Sequence, residues 1–475
     1  MKYRQSEAVR QYLQPWEVPA AGRLREASTA PPPSELEMQA LWFEGLFLPS
    51  MTTEAGEAVE ILDPGQWNHG PGPDFQHAIL RRADGTVATG PVELHLAPRD
   101  WARHGHRDDP AYDPTLLHVV WRLESPRYYP ATAAFRALPQ VELSRHLPAP
   151  WPELRPHALA CLQARERPRA QPGPCSAELA KFEPAALLSV VRAAGRLRLQ
   201  RKAQRLAWRA SVAGQRQALW EALAEGLGYH ANTRPMRMLA RRLPVAKLER
   251  ARPETRLALA FGLAGMLPHG DLARLPPDAR EWARPVWDAW WRARGRYAHA
   301  VLRPEQWRLA GLRPWNRPER RLALLPRLAS ATRGLLQAVR ARDAKRFART
   351  LQQLDSGPPG FWHRHASLTG KAFAEPRALL GPERVGDLVI NVFWPLVAMD
   401  DPDLAAEGWQ QTPMAPNQIT KTARQRVLEG RSLGKAGSEA LTLQGLMQIY
   451  RDYCCAVPAG CPSCRFPEML RRLRQ

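Results

Sequence analysis

Apolar and polar positions alternate with different periods along the chain, and each change of period marks a structural unit. In "TAPPPSELEMQALWFEGLF" a run of prolines is followed by Ser34, which can cap, and by Leu36, Ala40, Leu41 and Phe43 at roughly helical spacing. This predicts a helix from Ser34 to Leu46. "AVEILDPG", "DFQHAILRR" and "TVATGPVELHLAP" then alternate with a period of two, and Asp84-Gly85 between the last pair reads as a tight hairpin turn. "TLLHVVWRL" is a continuous run of strand formers, the pattern of a strand buried on both faces. A helix followed by a sheet of about four or five strands is the expectation for residues 30 to 150.

From about Pro150 the character changes. "RERPRAQPGPC" reads as a linker, and the stretches after it are rich in alanine and leucine with a helical period. "AELAKFEPAALLSVVRAAGRLRLQRKAQRLAWRA" puts Leu187, Leu188, Val191 and Ala194 on one face and arginines on much of the rest. No fixed period relates this helix to those that follow, which predicts an irregular helical domain rather than a solenoid. The expected division is an N-terminal extension over 1–33, a mixed-sheet domain over 34–150, a helical domain over 151–385 and a C-terminal helical segment with a cysteine cluster over 386–475. The class is α+β.

Length supports several domains, since 475 residues exceed what one core usually organises. Charge adds a partner: Lys+Arg 68 against Asp+Glu 46 leaves +22, which favours polyanions such as nucleic acid, or an anionic membrane surface. Nearly all of that charge is arginine, accompanied by 46 prolines and abundant alanine, a composition that a GC-rich genome also produces. No run of eighteen apolar residues occurs and the N-terminus lacks a signal-peptide core, so the expectation is a cytoplasmic protein with no membrane partner. Six cysteines are too few for a disulfide scaffold and are expected as thiols or metal ligands.

The candidate chemistry sits on the hairpin. Asp74 lies at the mouth of one strand and Glu93 in the next, so a hairpin closed at Asp84-Gly85 brings the carboxylates to the same end. Such a pair repels unless a cation sits between its members, and Mg²⁺ or Mn²⁺ suits oxygen ligands. The alternative is a pair of solvated acids at a sheet end. His95 follows Glu93 by two; mostly uncharged near neutrality, it can serve as general base or metal ligand. Asp100, His104, His106, Asp109, Tyr112 and His118 follow closely. A His-x-His on a strand would point both rings one way and form a second ligand set or a rim; the alternative is a polar loop whose histidines bond backbone. Glu35 in the preceding helix can add a carboxylate. In "LRPWNRPERR", Arg313, Arg317 and Arg320 are candidate phosphate contacts, or else flank a helix start at Pro318 and face water.

In "YCCAVPAGCPSC", Cys461 and Cys464 have metal-binding spacing and Cys454 adds a third thiolate. Cys455 is poorly placed to share that ion, so a distant residue such as Cys175 would complete a zinc or iron-sulfur site. Buried or redox-active thiols are the alternative, and Cys161 reads as structural.

The order helix, strand, Pro73-Asp74, then Glu93-Leu94-His95 resembles the PD-(D/E)XK nuclease superfamily. His95 stands where that superfamily carries a lysine, whose fixed charge orients water and steadies phosphate. The chain as a whole resembles the DUF2851 family, a bacterial family without an assigned reaction. The carrying strings are "GPDF", "GPVELH", "RDWARHGHRDDPAY", "LLHVVW", "FGLAGML", "LRPWNRP", "NQIT", "QGLMQIYRDYC" and "CPSC", from about residue 35 to 466. The family pattern selects Cys175 and, at the C-terminus, Cys454 rather than Cys455. That one-plus-three arrangement looks like the cysteine clasp of some iron-sulfur nucleases, in which the lone cysteine precedes the nuclease core.

The resemblances imply a restriction-endonuclease-like sheet domain and a metal-dependent nuclease that hydrolyses phosphodiesters, with arginine-rich helices gripping DNA or RNA. Two other readings follow from the same residues: a non-catalytic nucleic-acid-binding or scaffold protein that keeps the fold without the lysine, and a metal-dependent hydrolase of a small substrate.

Overall fold

The first helix, α1, runs from Glu35 to Glu44. The Ser34 hydroxyl accepts from the Glu37 N–H while the Glu37 carboxylate accepts from the Ser34 N–H at 2.8 Å, a capping box. Gly45, left-handed at φ 64°, ends the helix just short of the expected Leu46 because only glycine enters that conformation freely. The computed structural model describes residues 31–68, 71–124, 127–163, 171–229, 232–309, 311–455, 461 and 464–474. The N-terminal extension as far as residue 30, and the linker as far as residue 170, lie outside them.

Seven strands form one mixed sheet: β1 (Ser50–Thr52), β2 (Ala58–Asp63), β3 (Gln66–Trp67), β4 (Phe75–Arg82), β5 (Val87–His95), β6 (Leu117–Val120) and β7 (Gln140–Glu142). The spatial order is β1-β2-β4-β5-β6-β7, with β3 paired to β4. The count exceeds the expected four or five because β1, β3 and β7 are too short to leave a period of two in the sequence. β4 and β5 are the predicted hairpin, antiparallel and turned at Gly85 with φ 82°. β6 is buried throughout and parallel to both neighbours, as a strand covered on both faces requires. The crossover from β5 to β6 contains a short helix, α2 (Asp100–Arg103).

Under the mouth of the hairpin Trp42 stacks on Phe47 at 4.5 Å and meets Phe75 edge-on at 6.4 Å, while Phe75 stacks on Trp67 at 5.9 Å. These rings fix the first residue of β4, and with it Asp74. The next helix, α3 (Trp151–Gln163), packs on α1, and its Trp151, Leu154 and Ala158 belong to the sheet's core. The first unit therefore extends past residue 150 to the end of α3.

The rest is helical and irregular, as expected, but it is not divided at residue 385. One apolar core runs from Cys175 to Leu470. Its elements include α4 (Cys175–Leu179), α5 (Pro184–Ala213), α6 (Gln215–Leu227), α7 (Thr233–Arg242), α8 (Gln418–Leu428) and α9 (Ala440–Ile449). α5 and α9 cross at Gly195 and Gly445, where a Cβ on either glycine would run into backbone of the other helix, Leu441 and Val191 respectively.

The arginines of α5, expected on a phosphate-gripping face, are largely consumed inside the fold: Arg192 with Glu439 at 2.7 Å, Arg201 with Asp452 at 3.0 Å, Arg205 with Glu225 at 3.1 Å and Arg209 with Glu221 at 2.6 Å. α7 docks the helical part on the sheet unit, pairing Arg242 with Asp63 at 2.6 Å and Arg237 with Glu44 at 3.0 Å. Among the described residues no helix is long and apolar enough to cross a membrane.

Candidate metal centre

β4 and β5 pair with Phe75 opposite Val92, which sets Asp74 and Glu93 at the same end of the hairpin. Each is held by the other's strand. The Asp74 N–H donates to Glu93 Oε2 at 2.8 Å, and the Leu94 N–H donates to Asp74 Oδ2 at 3.1 Å. A β-bulge just past this point slips the register between Phe75 and Ala78, with His77 at φ 59°, and re-aims the mouth of the strand. From α1, Gln39 Nε2 donates to Asp74 Oδ1 at 2.7 Å while its own oxygen accepts from Trp67 Nε1 at 3.2 Å. Glu35 lies one helical turn before Gln39 on the same face. Burial raises its pKa, and its electrostatic neighbours include His104, Asp100 and His106.

Three imidazole nitrogens converge beside the acids. Glu93 Oε1 lies 3.5 Å from His95 Nε2 and 3.2 Å from His106 Nε2, and His95 Nε2 lies 3.0 Å from His104 Nδ1. The ligand nitrogens of His95, His104 and His106 all fall within 4.8 Å of one another. Metal–nitrogen and metal–oxygen bonds of ~2.1 Å impose ligand–ligand edges of about 3.0 Å in an octahedron and about 3.4 Å in a tetrahedron, which the three short distances span. Behind this set, His118 Nε2 meets His95 Nδ1 at 2.9 Å and holds the orientation of that ring.

The electrostatics fit a cation. Glu93 is 4% exposed, and burial pushes its carboxyl up to about 8; burial and then the Glu93 charge raise Asp74 similarly. Burial drives the imidazoles the other way, lowering His95 and His106 and taking His118 down to about 3. The centre thus combines proton-holding carboxyls with neutral imidazoles, and none of these imidazoles supplies the positive charge the acids need. His106 Nε2 is buried and makes no hydrogen bond. A divalent ion would take up that nitrogen and release the carboxyl protons.

Sequence reasoning offered two places for His104 and His106, a strand or a polar loop. They lie in a loop, the turn after α2, where Gly105 at φ 77° reverses the chain and the two rings stand at 84° to each other. They converge because the turn folds, not because a strand presents them side by side. Neither ring spends its metal-facing nitrogen on backbone. Tyr112 stacks on His106 at 3.8 Å and forms a wall. Asp100 accepts from the Ala97 N–H at 3.1 Å and pairs with Arg103 at 2.9 Å, while Asp109 accepts from the Ala111 N–H at 2.9 Å; both shape the loop. His104 is exposed, so the centre opens to solvent on its side, where Arg103 also lies. Gln39 was missed; its position four residues after Glu35 on a predicted helix was the available signal.

The arginine loop gives a different answer. Pro318 does begin a helix (Pro318–Leu322). Arg320 is fully buried and donates to the carbonyls of Trp362 and Ala378 at 2.9 and 3.2 Å, and Arg317 pairs with Glu319 at 2.6 Å. Arg320 is therefore a structural residue with no free donor edge for a phosphate, and only Arg313 of the three is exposed. Cys175, Cys454, Cys461 and Cys464 gather in the helical part around one small cavity.

Residues 35–420 match the family model described as "Protein of unknown function (DUF2851)". No curated protein and no solved structure matches the chain.

Proposed function

We propose that this chain, which belongs to the DUF2851 family, is a metal-dependent phosphodiesterase of nuclease type acting on DNA or RNA. The observation that carries the reading is the convergence of the His95, His104 and His106 nitrogens within 4.8 Å of one another, with Glu93 3.2 and 3.5 Å from His106 and His95 and Asp74 locked beside Glu93. Three imidazoles with carboxylates make a mixed nitrogen and oxygen set; of the two ions expected, Mn²⁺ accepts nitrogen ligands better than Mg²⁺, so Mn²⁺ is favoured. When bound, such an ion lowers the pKa of water and neutralises phosphate charge. Glu93, His95, His104 and His106 would hold it. Asp74, oriented by Gln39 and the Leu94 N–H, presents an oxygen beside the centre, and Glu35 adds a second acid from α1. Arg103, 71% exposed, is a cation at the rim for a phosphate to meet, a part that His95 cannot play while burial holds it neutral.

The helix acid, Pro-Asp and Glu-x-His on an antiparallel hairpin that continues into parallel β6 support the PD-(D/E)XK-like reading. The test is an assay of the full chain on single- and double-stranded DNA and on RNA in EDTA, Mg²⁺ and Mn²⁺. Cleavage is expected with Mn²⁺ above Mg²⁺, and Asp74→Asn and Glu93→Gln are expected to lose it while still binding the substrate. No cleavage of any substrate with either ion discards the proposal. The occupation of both His95 nitrogens by other histidines favours one alternative, a binding protein that has lost catalysis. That reading is identified by salt-sensitive binding that persists in EDTA without cleavage.

A further inference from the structure

The cysteines form a second constellation, independent of the histidine centre. Three separate segments bring them together: Cys175 starts α4, Cys454 lies in a π-helical turn (Tyr450–Cys455) that continues α9, and Cys461 and Cys464 follow it. All four line a single small cavity with Gly173 and Arg426. Cys175 is 6% exposed and the other three are half-buried.

The cavity is shaped around sulfur. A methyl group built on Gly173 would touch Cys175 Sγ at 3.4 Å and Cys461 Sγ at 3.6 Å, so those sulfurs close on the same point. The Gly173 N–H is anchored on the Arg426 carbonyl at 2.9 Å, and the Cys464 N–H bonds the Cys461 carbonyl at 3.1 Å, which keeps these two cysteines together. Arg426 Nη2 donates to Cys461 Sγ at 3.0 Å, and the same guanidinium faces Cys454. A guanidinium aimed at sulfur is a natural counter-charge for thiolates, and a centre with four thiolate ligands carries net negative charge. The π turn is the kind of local irregularity that recurs at functional sites, where it displaces one side chain from the helical register.

We propose that Cys175, Cys454, Cys461 and Cys464 are the four ligands of a thiolate-bound metal centre, either zinc or an iron-sulfur cluster, that staples the C-terminal segment to α4. The soft sulfur set excludes Mg²⁺ and Ca²⁺, which require oxygen. Cys455, adjacent to Cys454 but outside the cavity lining, and Cys161, in α3, are not ligands.

The test is metal and acid-labile sulfide analysis of the full chain, expressed with iron and zinc supplied and purified without oxygen. About one zinc per chain identifies the zinc form. About two or four irons with matching sulfide and broad visible absorption identify the cluster. In either case Cys461→Ala and Cys175→Ala are expected to lower that metal at least tenfold, whereas Cys455→Ala, Cys161→Ala and His104→Ala leave it in place. Gly173→Val retains every thiol but fills the cavity and is expected to lose the metal with its helical circular dichroism unchanged. If the cysteine variants fail to fold, thiol titration of native wild type decides: four cysteines should react slowly until a chelator is added. Wild type that carries neither metal, metal content indifferent to Cys461→Ala, or four thiols that titrate as fast as Cys161 would each overturn the proposal.

Discussion

Replacing Glu93 by glutamine should make the protein more stable while removing its centre. An ordinary glutamate has given up its proton by pH 7, but burial holds Glu93 protonated until about pH 8. The unfolded chain therefore gains by ionising at pH 7 what the cation-free fold cannot. The gap of about 2.5 pH units between the ordinary value and neutrality, at ~1.4 kcal/mol per unit, sets the cost at roughly 3 kcal/mol. The sign follows from a raised acid pKa: below about 4.5 both states hold the proton and nothing is lost, stability falls as pH rises from there to about 8, and beyond that it levels off. Glutamine keeps an acceptor for the Asp74 N–H and has no proton to lose. Urea unfolding in EDTA, followed by tryptophan fluorescence, should show the variant more stable by roughly 3 kcal/mol at pH 7 and nearly equal to wild type at pH 4.5. Mn²⁺ at a hundred times its dissociation constant should add about 2.7 kcal/mol to wild type and nothing to the variant. A variant no more stable than wild type at pH 7 in EDTA would refute the claim that this carboxyl is a frustrated one, and with it the electrostatic case for a cation.

Three further outcomes are expected. His118→Leu removes no ligand but frees the back of His95, so Mn²⁺ affinity by calorimetric titration should fall ~10- to 100-fold, with the ion count per chain unchanged. Asp63→Ala leaves Arg242 as an unpaired buried charge at the junction of the two units and should cost about 3–5 kcal/mol in urea unfolding, largely relieved in the Asp63→Ala, Arg242→Met double variant. Gly445→Ala forces α5 and α9 apart and should cost at least ~2 kcal/mol, whereas Gly437→Ala, which meets only a Leu433 side-chain atom at 3.6 Å, should stay within about 1 kcal/mol by the same measurement.

What was legible in the sequence was what is local. The capped helix at Ser34, the Asp84-Gly85 hairpin and the buried run of β6 are all written in spacings shorter than a dozen residues, and the two carboxylates came together because hairpin geometry follows from the turn. The cysteine set was legible for the same reason at one end, through Cys461 and Cys464. The histidine segment stayed open between strand and loop because a period of two around a glycine can be a strand or a reversal, and φ at Gly105 decides which. The role of the arginines was hidden altogether. Arg192 and Glu439 lie 247 positions apart, and no local pattern distinguishes an arginine destined for such a pair from one destined for a phosphate.

The span between Cys175 and its partners also bears on how the protein is made. The sheet unit has its whole core in hand once α3 leaves the ribosome, but Cys175 then waits for roughly 280 more residues before Cys454 appears. At about 5–20 residues per second that is ~15 to 55 s during which Cys175 sits on an unfinished helical layer without the other three cysteines of its cavity. Oxidation of Cys175, 6% exposed in the finished fold, should therefore fall mainly on nascent rather than mature molecules, and a slower ribosome should widen the window.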